Sequence, residues 1–294
     1  MITQASAAAV AAPPQVKAKE VSCGAQHTLV VDVAGKVFGC GSNEHGQLGN
    51  GTKSAAETAL VPATGLLEKV GQVAAGHAHS LILTESGKVL ATGFNHKGQL
   101  GNGTRHSESV PIEIDTQGVR FRSVHASHFS AGVSRDADLF LWGENPSFGE
   151  TLSPTKEIKL GNIISIGLGE RFAVVADAQG AVFTWGSGQQ GELGIGSYDN
   201  IEEPEQVGQL EAKQTTQVAA GNNHVIALGQ HILPSVRSTP VPVPVPVSQQ
   251  AAAPEPVQPA PVASSYQTRS SVGQQHQSSV SQGGLAPPAP AALN

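Results

Sequence analysis

The chain has 294 residues, a formal net charge of -6, 34 glycines, 4% aromatic and 14% charged residues. The acidic balance and the lack of a basic run argue against a surface that tracks nucleic-acid phosphates. No stretch approaches the ~18 apolar residues that a membrane span needs. Many glycines and few aromatics suit an all-β fold with many tight turns, where glycine supplies positive φ.

Residues 1–14 are expected to be a flexible N-terminus. The run from Ala7 to Ala12 is too short and too weakly apolar for a secretory signal, and no Lys or Arg precedes it. Cys23 and Cys40 have no disulfide-scaffold spacing and read as two buried thiols in a reducing compartment. The expectation is a soluble, cytoplasmic protein, with the nucleus as the alternative.

From residue 15 the sequence repeats. Gly24-Ala-Gln-His27, Gly76-His-Ala-His79 and Gly221-Asn-Asn-His224 follow short apolar runs, and Ser127-His-Phe-Ser130 and Gly169-Glu-Arg-Phe172 fit as weaker copies. The anchors fall at 24, 76, 127, 169 and 221. Each of the first four is followed by a strand ending in glycine, at Gly41, Gly93, Gly143 and Gly186. A third element is the run Asn43-Glu-His-Gly-Gln-Leu-Gly49, repeated from Asn95 to Gly101, partly kept as Gly188 to Gly194, and decayed to Asn145-Pro-Ser-Phe-Gly149 in the third copy.

One unit reads as a strand, a tight turn, a second strand, a compact Asn/Gly turn with one inward leucine, and a further extended piece. Three or four short strands every ~51 residues suit a propeller blade. Residues 234–294 read as a disordered tail rich in Pro, Ala, Ser and Gln. The segment from Ser238 holds 11 of the 19 prolines and 3 of the 34 glycines. Pro256-Val-Gln-Pro259 in it matches the minimal PxxP pattern, with a plain linker as the competing reading.

These motifs resemble the RCC1 repeat family, over about residues 15–233. The resemblance implies an all-β, RCC1-type β-propeller, here partial, with four repeats and the start of a fifth. The family's ring closes with seven blades. An incompletely recognisable propeller, closure by self-association and a small closed ring are all open. The implied function is a non-enzymatic protein-interaction module, an adaptor or regulatory propeller. The alternative is a guanine nucleotide exchange factor for a Ran-like or Rab-like small GTPase. Exchange needs only preferential binding of the nucleotide-free GTPase, so no catalytic motif would betray it. A diverged product with little activity of its own is a third class.

No nucleophile elbow, P-loop or zinc-protease motif is present, and neither a metal nor a cofactor is expected. His27, His79 and His224 recur once per blade, too far apart to share an ion, and read as histidines that bond backbone between blades. Trp142 and Trp185 read as core packing, because the Gly-Trp-Arg-His-Thr run of the family's light receptor is absent.

Two surfaces are candidate partner sites. Asp32, Glu85, Asp136 and Asp177 lie in corresponding turns and form either an acidic rim or a set of self-bonding turn residues. The third copy also lacks eight or nine residues after its Trp-Gly strand. Their loss predicts a notch floored by residues 145–156, with Arg105, His106, Asn145, Lys156, Tyr198 and Asp199 as partner-binding residues. The competing reading is drift in a weakly constrained blade.

Overall fold

The computed structural model describes residues 16–231 apart from Phe148 and Ala212. The expected N-terminal segment 1–14 and the tail 234–294, with its PxxP run, lie outside the described residues. Four antiparallel four-stranded sheets follow one another along the chain. The first blade is β1 (Ala18–Cys23), β2 (His27–Asp32), β3 (Val37–Asn43) and β4 (Ser54–Pro62). The second is β5 (Val70–Ala75), β6 (His79–Thr84), β7 (Val89–Gly93) and β8 (Glu108–Glu113). The third is β9 (Phe121–Ala126), β10 (Ser130–Ser134), β11 (Leu139–Asn145) and β12 (Gly149–Lys156). The fourth is β13 (Ile163–Leu168), β14 (Phe172–Asp177), β15 (Val182–Gly186) and β16 (Ile201–Gln206). The hairpin β17 (Lys213–Ala220) and β18 (Val225–His231) begins a fifth, after a single 3-10 turn at Gly208–Leu210. The extra strand of each blade is the apolar run before the Gly-x-x-His motif, so that motif is the β1–β2 connection.

The blades pack face to face through the β-branched and aliphatic residues of their second strands. Leu29, Val31 and Val37 of blade one are buried with Val70, Val73, Ala75 and Ile82 of blade two. The same join recurs between blades two and three around Leu81, Leu83 and Val124, and between three and four around Val133, Leu139 and Ile163. Val174 and Ala176 meet Val218 of the fifth hairpin. On that hairpin, Ile226 and Leu228 hold the places of Leu29 and Val31 and are 64% and 62% exposed.

The register explains the glycines. At Gly76, an added Cβ would lie 2.5 Å from Cε1 of His79, so the motif needs glycine because the ring three residues on packs over it. The glycines at or near the ends of the third strands, Gly41, Gly93, Gly143 and Gly186, all have positive φ, from 86° to 110°.

The third copy departs from the sequence alignment by one residue. The repeat spacing sets Ser130 against His79, but Ser130 pairs with Ala126 and Trp142 as Ser80 pairs with Ala75 and Thr92. Phe129 therefore holds the histidine position. The connection Ser127-His128 is one residue short, which accounts for an anchor distance of 16 in place of 17. The thiols also differ from expectation. Cys23 is exposed and Cys40 half-buried, because both lie on the first blade's far side, away from the joins that cover equivalent positions in later blades. No helix among the described residues is long and apolar enough to cross a membrane.

Candidate functional site

The β1–β2 type connections meet at one end of the blades. Ala25 N donates to Gly76 O (3.2 Å), His77 N to Ser127 O (2.7 Å) and Glu170 N to Asn222 O (3.1 Å). At the third junction the shortened loop uses a side chain instead, with Ser127 Oγ donating to Gly169 O (2.6 Å). This arc surrounds a cavity of about 540 Å³ to which every blade contributes, with Cys23, His77, His128, Glu170 and Asn222 as one contact from each. The rings of His77 and His128 stack 4.4 Å apart there. Burial holds the His128 imidazole below its usual pKa, and the neighbouring charge of His77 adds to the effect.

The long turn between third and fourth strands is a second feature of this end. In blade one, Asn43 organises it: its Oδ1 accepts from Leu48 N (3.1 Å), and its Nδ2 donates to Asn50 Oδ1 and Thr52 O. Asn95 repeats this with Leu100, Asn102 and Thr104. Each turn then closes over the next blade. Ser80 Oγ donates to Gln47 O (2.6 Å), Thr92 Oγ1 to Gly46 O (2.8 Å), and Ser130 Oγ to Gln99 O (2.7 Å).

Blade three has no such turn. Only residues 146–148 connect β11 to β12. The apolar part of the gap is filled from within the chain. Leu48 sits on Gly39, where an added Cβ would be 2.9 Å from its Cδ2, and blade three carries Leu141 at that position. Trp185 stands where Thr92 does in blade two and Trp142 does in blade three, and since Trp142 packs under the intact blade-two turn at Gly101, Leu141 is the residue that replaces the turn's plug. Leu141 and Trp185 are both 0% exposed and belong to one cluster with Phe129 and Leu139. The polar part stays open as a notch of about 480 Å³ between Glu144, Asn145 and Pro146 on one side and Glu170, Arg171, Ser187 and Glu202 on the other.

Of the six residues expected at the notch, only Asn145 lines it. Asn145 is buried, with Nδ2 donating to Gly143 O and Oδ1 accepting from Ser147 N. Arg105 is held by Glu150, its Nε 2.7 Å from Oε1. His106 is exposed on the blade-two turn, and its backbone carbonyl accepts from Asn95 Nδ2. Tyr198 and Asp199 are exposed beside Asn200, which lines the notch. Lys156 lies at the other end of β12, paired with Asp138 at 2.6 Å, because residues 149–156 form a strand and carry the chain away from the loop end. The residues missed are Glu144 near the end of β11, Glu170 and Arg171 between β13 and β14, and Glu202 at the start of β16, which only the blade register brings together.

The four acids do lie in the corresponding β2–β3 turns, but not at one position. Asp32 and Asp177 begin theirs, and the Oδ1 of each accepts two backbone amides of its own turn, Ala34 and Lys36, and Gln179 and Ala181. Thr84 and Ser134 take that place in blades two and three, so Glu85 falls one residue later and Asp136 two.

The histidine ties run to side chains, not to backbone. His27 Nε2 lies 2.9 Å from Ser80 Oγ and His79 Nε2 lies 2.8 Å from Ser130 Oγ. Each serine proton goes to a carbonyl, of Gln47 or Gln99, so each imidazole carries its proton on Nε2 and donates it. Among the described residues no three His, Cys, Asp or Glu side chains group as metal ligands.

Four-stranded antiparallel blades joined face to face, with connections gathered at one end, define a β-propeller repeat protein. The model of the regulator of chromosome condensation (RCC1) repeat matches residues 34–83, 86–134 and 179–228, and a second RCC1 repeat model matches 18–47 and 71–99, so the chain belongs to the RCC1 repeat family. The chain is 31% identical over 221 residues to the ultraviolet-B receptor UVR8 of Arabidopsis thaliana, covering 71% of this chain and 50% of that protein. It is 30% identical over 205 residues to the human RCC1 domain-containing protein 1, covering 68% and 53%. Among solved structures, Prp20p from Saccharomyces cerevisiae, described with its binding to Gsp1p and histones, superposes with a TM-score of 0.68 at 23% identity, over 76% of this chain and 58% of that one. The chain thus spans about half the length of these relatives.

Proposed function

We propose that the chain is a non-enzymatic protein-interaction module that grips a protein partner with the loop end of its blades. One observation carries this reading. The blade frame repeats in register, while the loop tips around the shared cavity differ from blade to blade, as Ala25, His77, His128, Glu170 and Asn222. A rigid frame holding dissimilar loops is how binding surfaces are built. Tandem-affinity capture with the full chain, followed by binding measurements with the purified partner, tests it. Substitution of His77 and Glu170 should weaken the complex, and a partner indifferent to every loop-end substitution would refute the reading.

The second reading is exchange on a Ran-like or Rab-like GTPase. It is favoured by the likeness to Prp20p, which is described with its binding to Gsp1p. Release of a fluorescent nucleotide from Ran-class and Rab-class GTPases, with and without the chain, checks it. Unchanged release rates across both classes would exclude exchange activity.

A further inference from the structure

We propose that the notch between the third and fourth blades takes a short basic peptide segment of a protein partner, with an Arg or Lys side chain held between Glu170 and Glu202. The proposal rests on the interaction reading above and assigns it a site and a chemistry.

The slot is made for peptide. At the junctions of blades one and two, and of two and three, the same slot is occupied by the chain's own turns around Gly46–Gly49 and Gly98–Gly101. They are fixed by bonds from Ser80, Thr92 and Ser130 to turn carbonyls. At the third junction the turn is gone, yet the apolar floor is intact, because Leu141 takes the volume that the turn's leucine fills over Gly39 in blade one. A blade drifting without constraint would leave an apolar hole there. This one leaves a finished floor under a polar opening of about 480 Å³.

Charge then selects the occupant. Glu144, Glu170 and Glu202 line the opening against one cation, Arg171. Lys97 from blade two already neutralises Glu144, 3.5 Å away. Glu170 and Glu202 are in no ion pair among the described residues. Glu170 is half-buried, so a cation reaching it is less screened than one on an open surface. An acidic segment would meet the two carboxylates, and a wholly apolar one would strip water from them without return.

The test uses the full chain and a fluorescein-labelled nonapeptide of alternating arginine and glycine, with its glutamate counterpart as comparison. Binding is read by fluorescence anisotropy. The arginine peptide should bind and the glutamate peptide should not. Glu170→Gln with Glu202→Gln should weaken binding about tenfold. Glu205→Gln with Glu211→Gln, the same charge change at exposed positions outside the notch, should leave it unchanged. Ser187→Lys, which places a resident cation in the opening, should also abolish binding while circular dichroism stays that of the parent. Equal loss from both glutamine pairs, or no binding of the arginine peptide, would overturn the proposal. A partner captured by the chain and held equally well by the Glu170→Gln, Glu202→Gln variant would overturn it too, while leaving the interaction reading in place.

Discussion

His79 on the second blade and Phe129 on the third hold the same position, and each is matched to the residue it meets on the blade that follows. His79 Nε2 lies 2.8 Å from Ser130 Oγ, while Phe129 is followed on the fourth blade by Ala173 at the serine's place. The series is His27 with Ser80, His79 with Ser130 and Phe129 with Ala173, and by register position Phe172 is followed by Val225. A polar ring meets a hydroxyl and an apolar ring meets an apolar side chain, as the cost of a buried unpaired polar group requires. His79→Phe should therefore destabilise the chain by about 1–3 kcal/mol, and Ser130→Ala, which also gives up the bond to Gln99 O, should cost less in the His79→Phe background than in the parent. A double-mutant cycle in urea checks it. Simple additivity of the two changes would show that the junction does not read the pair as a unit.

The same burial predicts a pH dependence. Burial lowers the pKa of His27 to about 4, helped by the charge of His77, and that of His79 to about 3, helped by His27, His128 and His77. Burial also lowers His125 to about 4. Each group has a folded pKa below its unfolded value near 6.5, so between those values the unfolded chain binds more protons. Stability should fall as pH drops below ~6.5, by about 1.4 kcal/mol per pH unit for each such imidazole, and level off below the folded pKa. Urea midpoints from about pH 7.5 down to about pH 5 measure the slope. In the His79→Phe, Ser130→Ala variant it should be shallower by one group's share, and an unchanged slope would count against the assignment.

The turn acids separate by position. Asp32→Ala and Asp177→Ala each remove an acceptor for two backbone amides and should cost about 1 kcal/mol. Glu85→Ala and Asp136→Ala should lie within about 0.5 kcal/mol of the parent. Chemical denaturation of the four variants gives the answer, and equal costs at all four would restore the idea of a single equivalent position.

What could be read from the sequence follows from what repeats. Gly76 and Gly93 are visible because a ring over one Cα and a φ of +105° at the other leave no alternative to glycine. The strand and turn order of each blade follows from such residues. Phe129 was misplaced because a one-residue deletion in a loop leaves the glycine anchors nearly in step, and only strand pairing to Trp142 and Gly143 fixes the count. The notch was placed after the correct strand, since a deletion shows in spacing. Its lining was not, because Glu144 at the end of one strand, Glu170 in a connection and Glu202 at the start of another strand lie far apart along the chain, and Lys156 is carried off by β12, whose polar residues carry no strand pattern.

The compensation within the third blade can be tested by reversing it. Leu141 fills the volume that Leu48 fills above Gly39, and Trp185 lies in the same cluster, beside the place of the missing turn. Replacing residues 146–148 by residues 44–53 of the first blade would bring a second leucine to an occupied position. Overpacking of this kind costs about 1–3 kcal/mol. Leu141→Gly alone should cost about 3–5 kcal/mol, from the lost side chain and from glycine in a strand. Combined with the grafted turn, it should be tolerated far better than either change alone, because the third blade would then carry the first blade's plug over a glycine. Thermal melts of the graft, of Leu141→Gly and of the combination give the coupling directly. If the losses simply add, Leu141 and the missing turn do not share one volume, and the closed floor of the notch has another origin.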